Sequence, residues 1–316
     1  MKNKRYMSDL AFESLKGALK DQDYTYNKQN FKNISVETYE VLKESDLYHY
    51  DKGTYIEISF PSYNDIETII ETISIHLKKL IASINKTDPT ILIVGLGNKD
   101  LSCDALGPMS LSLINPTHHY ELMNRHSDHL YDYICVTPGV SGQSGVESAE
   151  FIESLVKDFH VDLVIAIDSL CARSYEKLCH VIQINNTGIY PGSGIGNHRK
   201  GLNQRTLNVP VIAVGVPTVI HASSLVNDVF SLIESYFHES VGQLSNDKSN
   251  EKLSEYQREL ILGELGKLSE SKREQLLCEI LYPLDYRLIL SDKQIDYDIK
   301  ILSKIISSSL NHLRND

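Results

Sequence analysis

Five short segments between residues 91 and 214, four of them made only of hydrophobic residues, restrict the possible folds of this chain more than any other feature of its sequence. Each has the length of a short strand, and LVIAI at 163–167 is apolar throughout, as expected for a strand buried on both faces. Patterns with helical spacing lie between most of the segments. We therefore predict an α/β fold with a mixed, largely parallel sheet flanked by helices. The segments are residues 91–94, 133–136, 163–167, 180–184 and 211–214.

The rest of the chain predicts further strands and helices around this core. Strands are predicted at 36–42 and 54–60, and helices at 64–84, 146–159, 223–237, 257–281 and 294–313. Residues 1 to about 35 are polar and irregular, and the polar stretch at 240–256 is typical of a linker. We expect one α/β domain with its core at about 90–238 and a helical C-terminal extension at about 257–313.

The composition argues against several classes of partner. The net charge of −11 disfavours direct nucleic-acid binding, because phosphate contacts need clustered Lys and Arg. No apolar run approaches the roughly 20 residues of a membrane span, and the polar N-terminus lacks the apolar core of a signal peptide. The five cysteines form no CxxC pair, as expected for reduced thiols. We expect a cytoplasmic protein without a membrane partner.

The segment GLGNKDLSCDALGP at 95–108 follows the first core strand and holds the first candidate for chemistry. A dinucleotide fingerprint would need a third glycine where the chain has Asp100. Gly95 and Gly97 more simply allow a tight turn at the carboxyl end of the strand. Because ligands of open α/β sheets bind at that edge, Asp104 in the loop beyond it is a candidate functional residue. A non-catalytic nucleotide-binding module stays open as an alternative.

A second acidic residue, Asp168, follows the apolar strand at 163–167. A carboxylate in that position is costly unless it faces a cleft or has a partner. Asp168 could cap the N-terminus of a helix or belong to a functional site, and spacing alone does not separate the two. Two aspartates at the ends of two strands could converge on one water, one as general base and the other as general acid. Asp104 and Asp168 are therefore the candidate catalytic pair.

Two glycine-rich loops supply further candidates. TPGVSGQSGVE at 137–147 contains Gly142 and Gln143 and leads into a helix. This loop could bind an anion, offer N–H groups to a peptide carbonyl, or serve only as a turn. NTGIYPGSGIGNHR at 186–199 ends with His198 and Arg199, which could bind substrate.

Histidines also cluster in the middle of the chain, but without the spacing of a metal motif. A zinc site is conceivable there, yet no HExxH pattern is present. We expect no metal and no other cofactor. The histidines concerned are His118, His119, His126 and His129.

These segments, in this order, resemble the germination protease family of spore-forming bacteria. SDLA at 8–11 and ILYP at 280–283 also resemble the family, so the resemblance covers nearly the whole chain. The other matching segments are GLGN at 95–98, DALGP at 104–108, TPGV at 137–140, GQSG at 142–145, AID at 166–168, NHR at 197–199 and VGVPT at 214–218.

The resemblance implies an endopeptidase that degrades small acid-soluble spore proteins during germination. It also implies a homotetramer in the cytoplasm of the developing spore, that is, the spore core. The core fold is expected to be similar to that of hydrogenase maturation peptidases, a phosphorylase/hydrolase-like fold. The catalytic pair of the family corresponds to Asp104 and Asp168. Substrate-binding or supporting roles are expected for Gly97, Asn98, Gly142, Gln143, His198 and Arg199.

The family is made as a zymogen, which implies that residues 1–9 are a propeptide. The sequence DLAFE at 9–13 resembles the family's cleavage sites, in which an acidic residue precedes a bulky aliphatic residue and Ala. We expect cleavage between Asp9 and Leu10, in a segment extended enough to enter a groove. The alternative is an ordinary disordered tail.

Three residues depart from the family pattern. His221 stands where the family often has Asp, and Cys103 and Cys171 replace residues that are more often Pro or Ala. A metal-dependent processing peptidase of the hydrogenase maturation type is the alternative function. The extensions on both sides of the core fit that alternative poorly.

Overall fold

The computed structural model divides the chain into two compact units. The first comprises residues 1–172, 176–219 and 291–316, and the second comprises residues 173–175 and 220–290. The structure describes residues 8–15, 23–43, 51–119, 131–192, 200–245, 253–281 and 288–315.

A mixed sheet forms the centre of the first unit. Its order is β1-β2-β3-β7-β8-β6-β4-β5. β4 pairs in parallel with β5 and β6, whereas β3 and β8 both pair antiparallel with β7. The last two residues of β8 pair with β9 inside the second unit. The strands are β1 (Tyr24–Phe31), β2 (Ile34–Val41), β3 (Gly53–Ser59), β4 (Thr90–Gly95), β5 (Asp132–Val136), β6 (Leu163–Ala172), β7 (Val181–Asn185), β8 (Val211–His221) and β9 (Ile289–Leu290).

Helices cover both faces of this sheet, so the predicted mixed α/β fold is confirmed. Ile73, Leu106 and Ile305, from α2, α3 and α10, are fully buried on one face. Ile152 and Leu207, from α5 and α6, are buried on the other. Each such side chain contributes about 1.5–3 kcal/mol. The helices are α1 (Ala11–Leu15), α2 (Ile66–Ala82), α3 (Leu106–Leu111), α4 (Ser141–Ser144), α5 (Ser148–Asp158), α6 (Gln204–Leu207), α7 (Ala222–Ser245), α8 (Glu255–Leu262), α9 (Glu270–Leu281) and α10 (Ile295–Asn315).

The apolar segments predicted strands correctly, and the polar segments account for the differences. β1 falls in the stretch expected to be irregular; its side chains are almost all exposed, and its full ladder with β2 holds it in place. α7 continues to Ser245, so the predicted linker begins inside a helix. The helix predicted at 257–281 is broken at Gly263, which has a φ of +58° and begins a short 3-10 helix.

The second unit is organised around one buried cation. The Arg273 side chain of α9 is 2% exposed. Its Nε donates to Asn227 Oδ1 at 3.0 Å, and its Nη1 donates to Glu234 Oε1 at 2.6 Å. Its guanidinium carbon lies 5.6 Å from the centre of the Phe230 ring. These contacts join α9 to α7 and satisfy a charge that would otherwise be costly to bury.

Candidate active site

The carboxyl ends of β4 and β6 lie side by side. Gly95 of β4 pairs with Ile167 of β6, and the Leu96 N–H donates to the Ile167 carbonyl at 2.8 Å. β6 then continues to Ala172, so Asp168 lies inside the strand, just beyond the last residue of β6 that pairs with β4. The alternative in which Asp168 caps a helix is therefore wrong, because more strand follows it.

The Asp168 carboxylate is buried at this strand end. Its side chain is 5% exposed, and Oδ1 accepts a hydrogen bond from the Ser169 N–H at 2.9 Å. Taking a carboxylate out of water is costly without hydrogen-bond donors, so this backbone donor favours the buried position.

Asp104 reaches the same end of the sheet on the loop that follows β4. It ends a 3-10 helix, Ser102–Asp104, that leads into α3. The backbone N–H of Asn98 lies 2.9 Å from Asp104 Oδ2 and 3.0 Å from the Asp104 carbonyl oxygen. The Asn98 backbone N–H thus closes the loop through the carboxylate and the carbonyl of Asp104, whereas the Asn98 side chain accepts from the Asp100 N–H at 3.1 Å.

Two glycines allow this close approach. Gly97 has a φ of +108°, and a Cβ there would lie 2.1 Å from the Asp104 carbonyl oxygen. A Cβ at Gly107 in α3 would lie 2.3 Å from the Leu96 carbonyl and 2.7 Å from the Ile167 carbonyl. Side chains at either position would separate the Asp104 loop from the strand ends.

The backbone contacts of the Asp104 loop and of β6 lie close together along the chain. The backbone N–H of Asn98 donates to the Asp104 carboxylate. The backbone N–H of Leu96, two residues earlier, donates to the Ile167 carbonyl of β6. Two residues span at most about 7 Å. The loop formed by residues 96–98 therefore contacts Asp104 at one end and Ile167, the residue before Asp168, at the other.

Thr218 is a supporting residue whose role the sequence does not reveal. It is fully buried in β8, and its hydroxyl donates to the Cys103 carbonyl at 2.6 Å. Its own carbonyl accepts from the Ser291 hydroxyl at 3.0 Å. Thr218 belongs to a segment that resembles the family motif, but this contact is made across more than 100 residues of sequence.

Cys103, next to Asp104, is not suited to act as a nucleophile. Burial raises the pKa of its thiol above 9.0, and the Asp104 charge raises it further. The thiol is therefore protonated at neutral pH, whereas nucleophilic cysteines act as thiolates.

The structure describes only some of the other predicted site residues. Gly142 lies in α4, the turn that follows β5 at the same end of the sheet, and no atom lies within 4 Å of a Cβ built there. Gln143 is in the same turn, but its side chain lies outside the described residues. His198 and Arg199 fall in residues 193–199, which also lie outside the described part of the chain.

The segment around Asp9 and Leu10 lies against the outer end of β6. The Asp9 N–H donates to the Cys171 carbonyl at 2.8 Å, and the Cys171 N–H donates to Asp9 Oδ2 at 2.9 Å. Leu10 is fully buried, and α1 follows at once, with Phe12 packed edge-on against Tyr39. The expectation of an extended segment through residue 13 is thus wrong, because burial of Phe12 and Leu15 stabilises a helical turn.

The histidines and other possible metal ligands form no centre in the described part of the chain. No group of three or more His, Cys, Asp or Glu side chains there is arranged to hold a metal ion. His118 is paired with Asp132, and His221 is buried in β8. His126 and His129 lie outside the described residues. No helix among the described residues is long and apolar enough to cross a membrane.

A mixed sheet with helices on both faces and acidic residues at one edge belongs to the α/β class of folds, in which ligands bind beyond the carboxyl ends of the strands. A family model described as "Germination protease" matches residues 13–315. The chain belongs to the germination protease family and is a peptidase of the kind that acts in spore germination.

Individual relatives agree with this family. The germination protease of Clostridium acetobutylicum is 34% identical over 301 residues, covering 92% of this chain and 88% of the relative. That of Priestia megaterium is 31% identical over 340 residues, covering 96% and 92%. That of Bacillus subtilis is 34% identical over 306 residues, covering 88% and 82%.

Among solved structures, a [NiFe] hydrogenase maturation protease, HycI from Thermococcus kodakarensis, is similar with a TM-score of 0.28 and 16% sequence identity. The match covers 44% of this chain and 80% of that chain.

Proposed function

We propose that this chain is an endopeptidase of the aspartic type that begins the degradation of small acid-soluble spore proteins during germination. In this mechanism Asp104 and Asp168 activate one water, one carboxylate as general base and the other as general acid. The observation that carries the proposal is the position of both residues at the joined ends of β4 and β6.

The two carboxylates differ in their surroundings, which suits a division of roles. Asp168 is 5% exposed, whereas Asp104 is partly exposed and held by the Asn98 N–H. If the two carboxylates lie close together, repulsion between like charges should raise one pKa of the pair. A shared proton at neutral pH is the state that this mechanism requires.

The remaining candidates would support or bind the substrate. Gly97 and Asn98 hold the Asp104 loop, as their contacts indicate. Gly142 and Gln143 would offer polar groups to the substrate backbone from the turn after β5. His198 and Arg199 would bind substrate from the long loop. No cofactor takes part in the proposed reaction.

We also propose that residues 1–9 are a propeptide that the enzyme itself removes by cutting between Asp9 and Leu10, leaving a single peptidase domain from residue 10. The docking of Asp9 on β6, the strand that carries Asp168, supports this. A tethered segment has a high effective concentration, so it can fill a groove despite weak affinity. The proposed setting is a homotetramer in the cytoplasm of the developing spore, without membrane or direct nucleic-acid partners.

Substitution of each aspartate tests the mechanism. Asp104→Asn and Asp168→Asn should each lower cleavage of a small acid-soluble spore protein by at least about 100-fold while leaving the melting temperature near that of the wild type. Asp100→Asn, a change of an exposed carboxylate in the same loop, is the matched control and should stay active. A fully active Asp168→Asn enzyme would contradict the proposal.

The same assay with a chelator separates the two candidate functions. Cleavage that EDTA does not affect supports the aspartate mechanism. Loss of cleavage in EDTA, restored by a divalent metal ion, would favour the metal-dependent processing peptidase.

A further inference from the structure

The loop that carries Asp104 is held from both sides of β6. On the β8 side, the Thr218 hydroxyl donates to the Cys103 carbonyl at 2.6 Å. On the β4 side, the N–H of Asn98, three residues after that strand ends, donates to Asp104 Oδ2 at 2.9 Å. β6 lies between β8 and β4 in the sheet. The loop after β4 therefore crosses β6, the strand that contains Asp168, to reach Thr218.

This crossing covers a distance that local contacts of the loop do not span. Neighbouring strands lie about 4.8 Å apart, so β4 and β8 are separated by about 10 Å. After Asp104 the chain returns towards β4 and β6, since a Cβ at Gly107 would lie 2.3 Å from the Leu96 carbonyl and 2.7 Å from the Ile167 carbonyl. Thr218 therefore ties the turn of the loop to the strand on the far side of β6.

The contact with Thr218 falls on the peptide group that precedes the Asp104 side chain. The Cys103 carbonyl and the Asp104 N–H belong to this one peptide group, and the Asp104 N–H donates to the Leu101 carbonyl at 2.8 Å. Because a peptide group is planar, partners at its oxygen and at its N–H together fix its orientation. That orientation sets the direction in which the Asp104 side chain leaves the backbone.

Thr218 is itself held firmly. Its side chain is fully buried in β8, and its carbonyl accepts from the Ser291 hydroxyl at 3.0 Å. A β-branched side chain has little rotational freedom at χ1, so the hydroxyl stays directed at its acceptor. Replacing it by a methyl group would leave the Cys103 carbonyl without this donor, and the loop would have to move to find another.

We propose that Thr218 is a positioning residue for peptide hydrolysis, whose hydroxyl sets the place of the Asp104 carboxylate through the Cys103 carbonyl. The inference rests on the proposed function, in which Asp104 helps to activate water. Thr218 is fully buried, so its effect passes through one hydrogen bond and one peptide group rather than through contact with the substrate. Loss of the hydroxyl should therefore slow the chemical step and leave substrate binding nearly unchanged.

The test compares threonine with two side chains that separate its shape from its hydroxyl. Thr218→Val keeps the shape and removes the hydroxyl. At a temperature well below its melting point, its kcat on a small acid-soluble spore protein should fall by about 10- to 100-fold, because a shift of about 1 Å at a catalytic group has an effect of this size. KM should stay within about 3-fold of the wild-type value. Thr218→Ser keeps the hydroxyl and should retain kcat within about 3-fold.

Thr117→Val is the matched control for the loss of a buried threonine hydroxyl. The Thr117 side chain is 1% exposed, and its oxygen accepts from the Tyr133 N–H at 2.8 Å, near the amino end of β5 and thus at the opposite end of the sheet. This variant should lower the melting temperature but keep kcat near the wild-type value. A fall in kcat that merely follows the melting temperature in both variants would mean that Thr218 has only a structural role.

A double substitution tests whether the effect passes through Asp104. If Thr218 acts by placing that carboxylate, Thr218→Val should slow the Asp104→Asn enzyme by less than about 3-fold, although it slows the wild type by 10-fold or more. Losses that multiply in the double variant would show that Thr218 acts elsewhere.

The outcomes keep this inference apart from the proposed function. Wild-type kcat in Thr218→Val, or an equal loss in Thr218→Ser, would overturn the positioning role while Asp104→Asn stays inactive. A fully active Asp104→Asn enzyme would overturn the proposed function and this inference with it. If Thr218→Val does not fold, Thr218→Ala against Thr218→Ser compares the same side-chain size with and without a hydroxyl, and equal kcat values in that pair would overturn the inference.

Discussion

A single missing methyl group decides whether the Asp104 loop can close. Gly97 combines a positive φ with a carbonyl oxygen that lies 2.1 Å from where its Cβ would be. Both effects act on the same residue, and the oxygen belongs to Asp104 itself. Any side chain at position 97 therefore displaces the residue that carries the proposed chemistry.

We expect Gly97→Ala to destabilise the fold by about 2–5 kcal/mol, from backbone strain and overpacking together. Peptide cleavage should fall by about 100-fold, since a shift of about 1 Å at a catalytic group has that effect. Thermal denaturation and cleavage rates measure the two effects. Gly142→Ala, where no atom lies within 4 Å of the new Cβ, is the stability control and should melt within a few degrees of the wild type.

Glu57 of β3 carries a buried charge on the same side of the sheet as the N-terminal helix. It is 5% exposed and paired with the Lys177 ammonium at 2.8 Å. Burial raises the pKa of the Glu57 carboxyl above 4.5, although Lys177 lowers it, and the charges of Glu13 and Glu37 raise it further. The folded chain therefore holds this proton more tightly than the unfolded chain does.

This shift predicts a defined dependence of stability on pH. The ionised carboxylate costs the folded state stability above its folded pKa, and that cost disappears as the pH falls towards 4.5. Glu57→Gln lacks this titrating group. The melting temperature of the wild type minus that of the variant should therefore increase as the pH is lowered from 7 to 4.5. Glu71→Gln, on the exposed face of α2, should show no such trend. A difference for Glu57→Gln that stays constant over this range would contradict the assignment.

Among the secondary-structure elements, the interior strands could be predicted and the contacts around them could not. Four of the five segments lie wholly in strands, and the fifth, at 180–184, does so from Val181. β6 and β8 are buried along nearly their whole length, as expected for interior strands. β6 was expected to end at Ile167, since Asp168 and Ser169 are polar. The strand continues beyond Ile167 with β8 as its neighbour, and the segment around Asp9, distant in sequence, adds hydrogen bonds at Cys171 near its outer end.

The candidate site shows the same limit. Asp104 and Asp168 could be predicted because each follows an apolar strand, and Gly97 because a tight turn needs it. Thr218 could not, since its contact with the Cys103 carbonyl joins residues 115 positions apart. No local period or spacing encodes such contacts, so only the folded structure identifies them.

The buried Arg273 gives a prediction for the helices of the second unit. Arg273→Met keeps most of the volume but leaves Glu234 and Asn227 without their partner. Breaking a buried, hydrogen-bonded charge pair destabilises by about 3–5 kcal/mol. Hydrogen exchange should show faster exchange in α7 and α9. Lys267→Met removes exposed ion pairs to Glu259 and Glu264 and should leave exchange in α7 and α9 close to the wild-type rate.

For the whole molecule, the proposed homotetramer must form despite the net charge of −11 on each chain. Charges of the same sign on four chains repel one another, and salt screens that repulsion over about 10 Å at 0.1 M. Association therefore has to come from complementary contacts that outweigh this repulsion.

Light scattering at micromolar concentration should give four times the mass of one chain. The tetramer should persist or strengthen as salt is raised from 0.05 to 0.5 M, because screening weakens the repulsion. The monomeric mass across this range would refute the assembly. Dissociation by salt would instead indicate that ion pairs hold the chains together.

The contact between the Asn98 N–H and Asp104 also affects how this sequence can evolve. The donor belongs to the peptide backbone, so every amino acid except proline supplies it. Mutations at codon 98 can therefore accumulate without removing this hydrogen bond. A change at codon 97 brings a side chain into the Asp104 carbonyl at once. A substitution at codon 98 therefore removes only the side-chain acceptor of the Asp100 N–H, whereas one at codon 97 displaces the backbone of the loop itself.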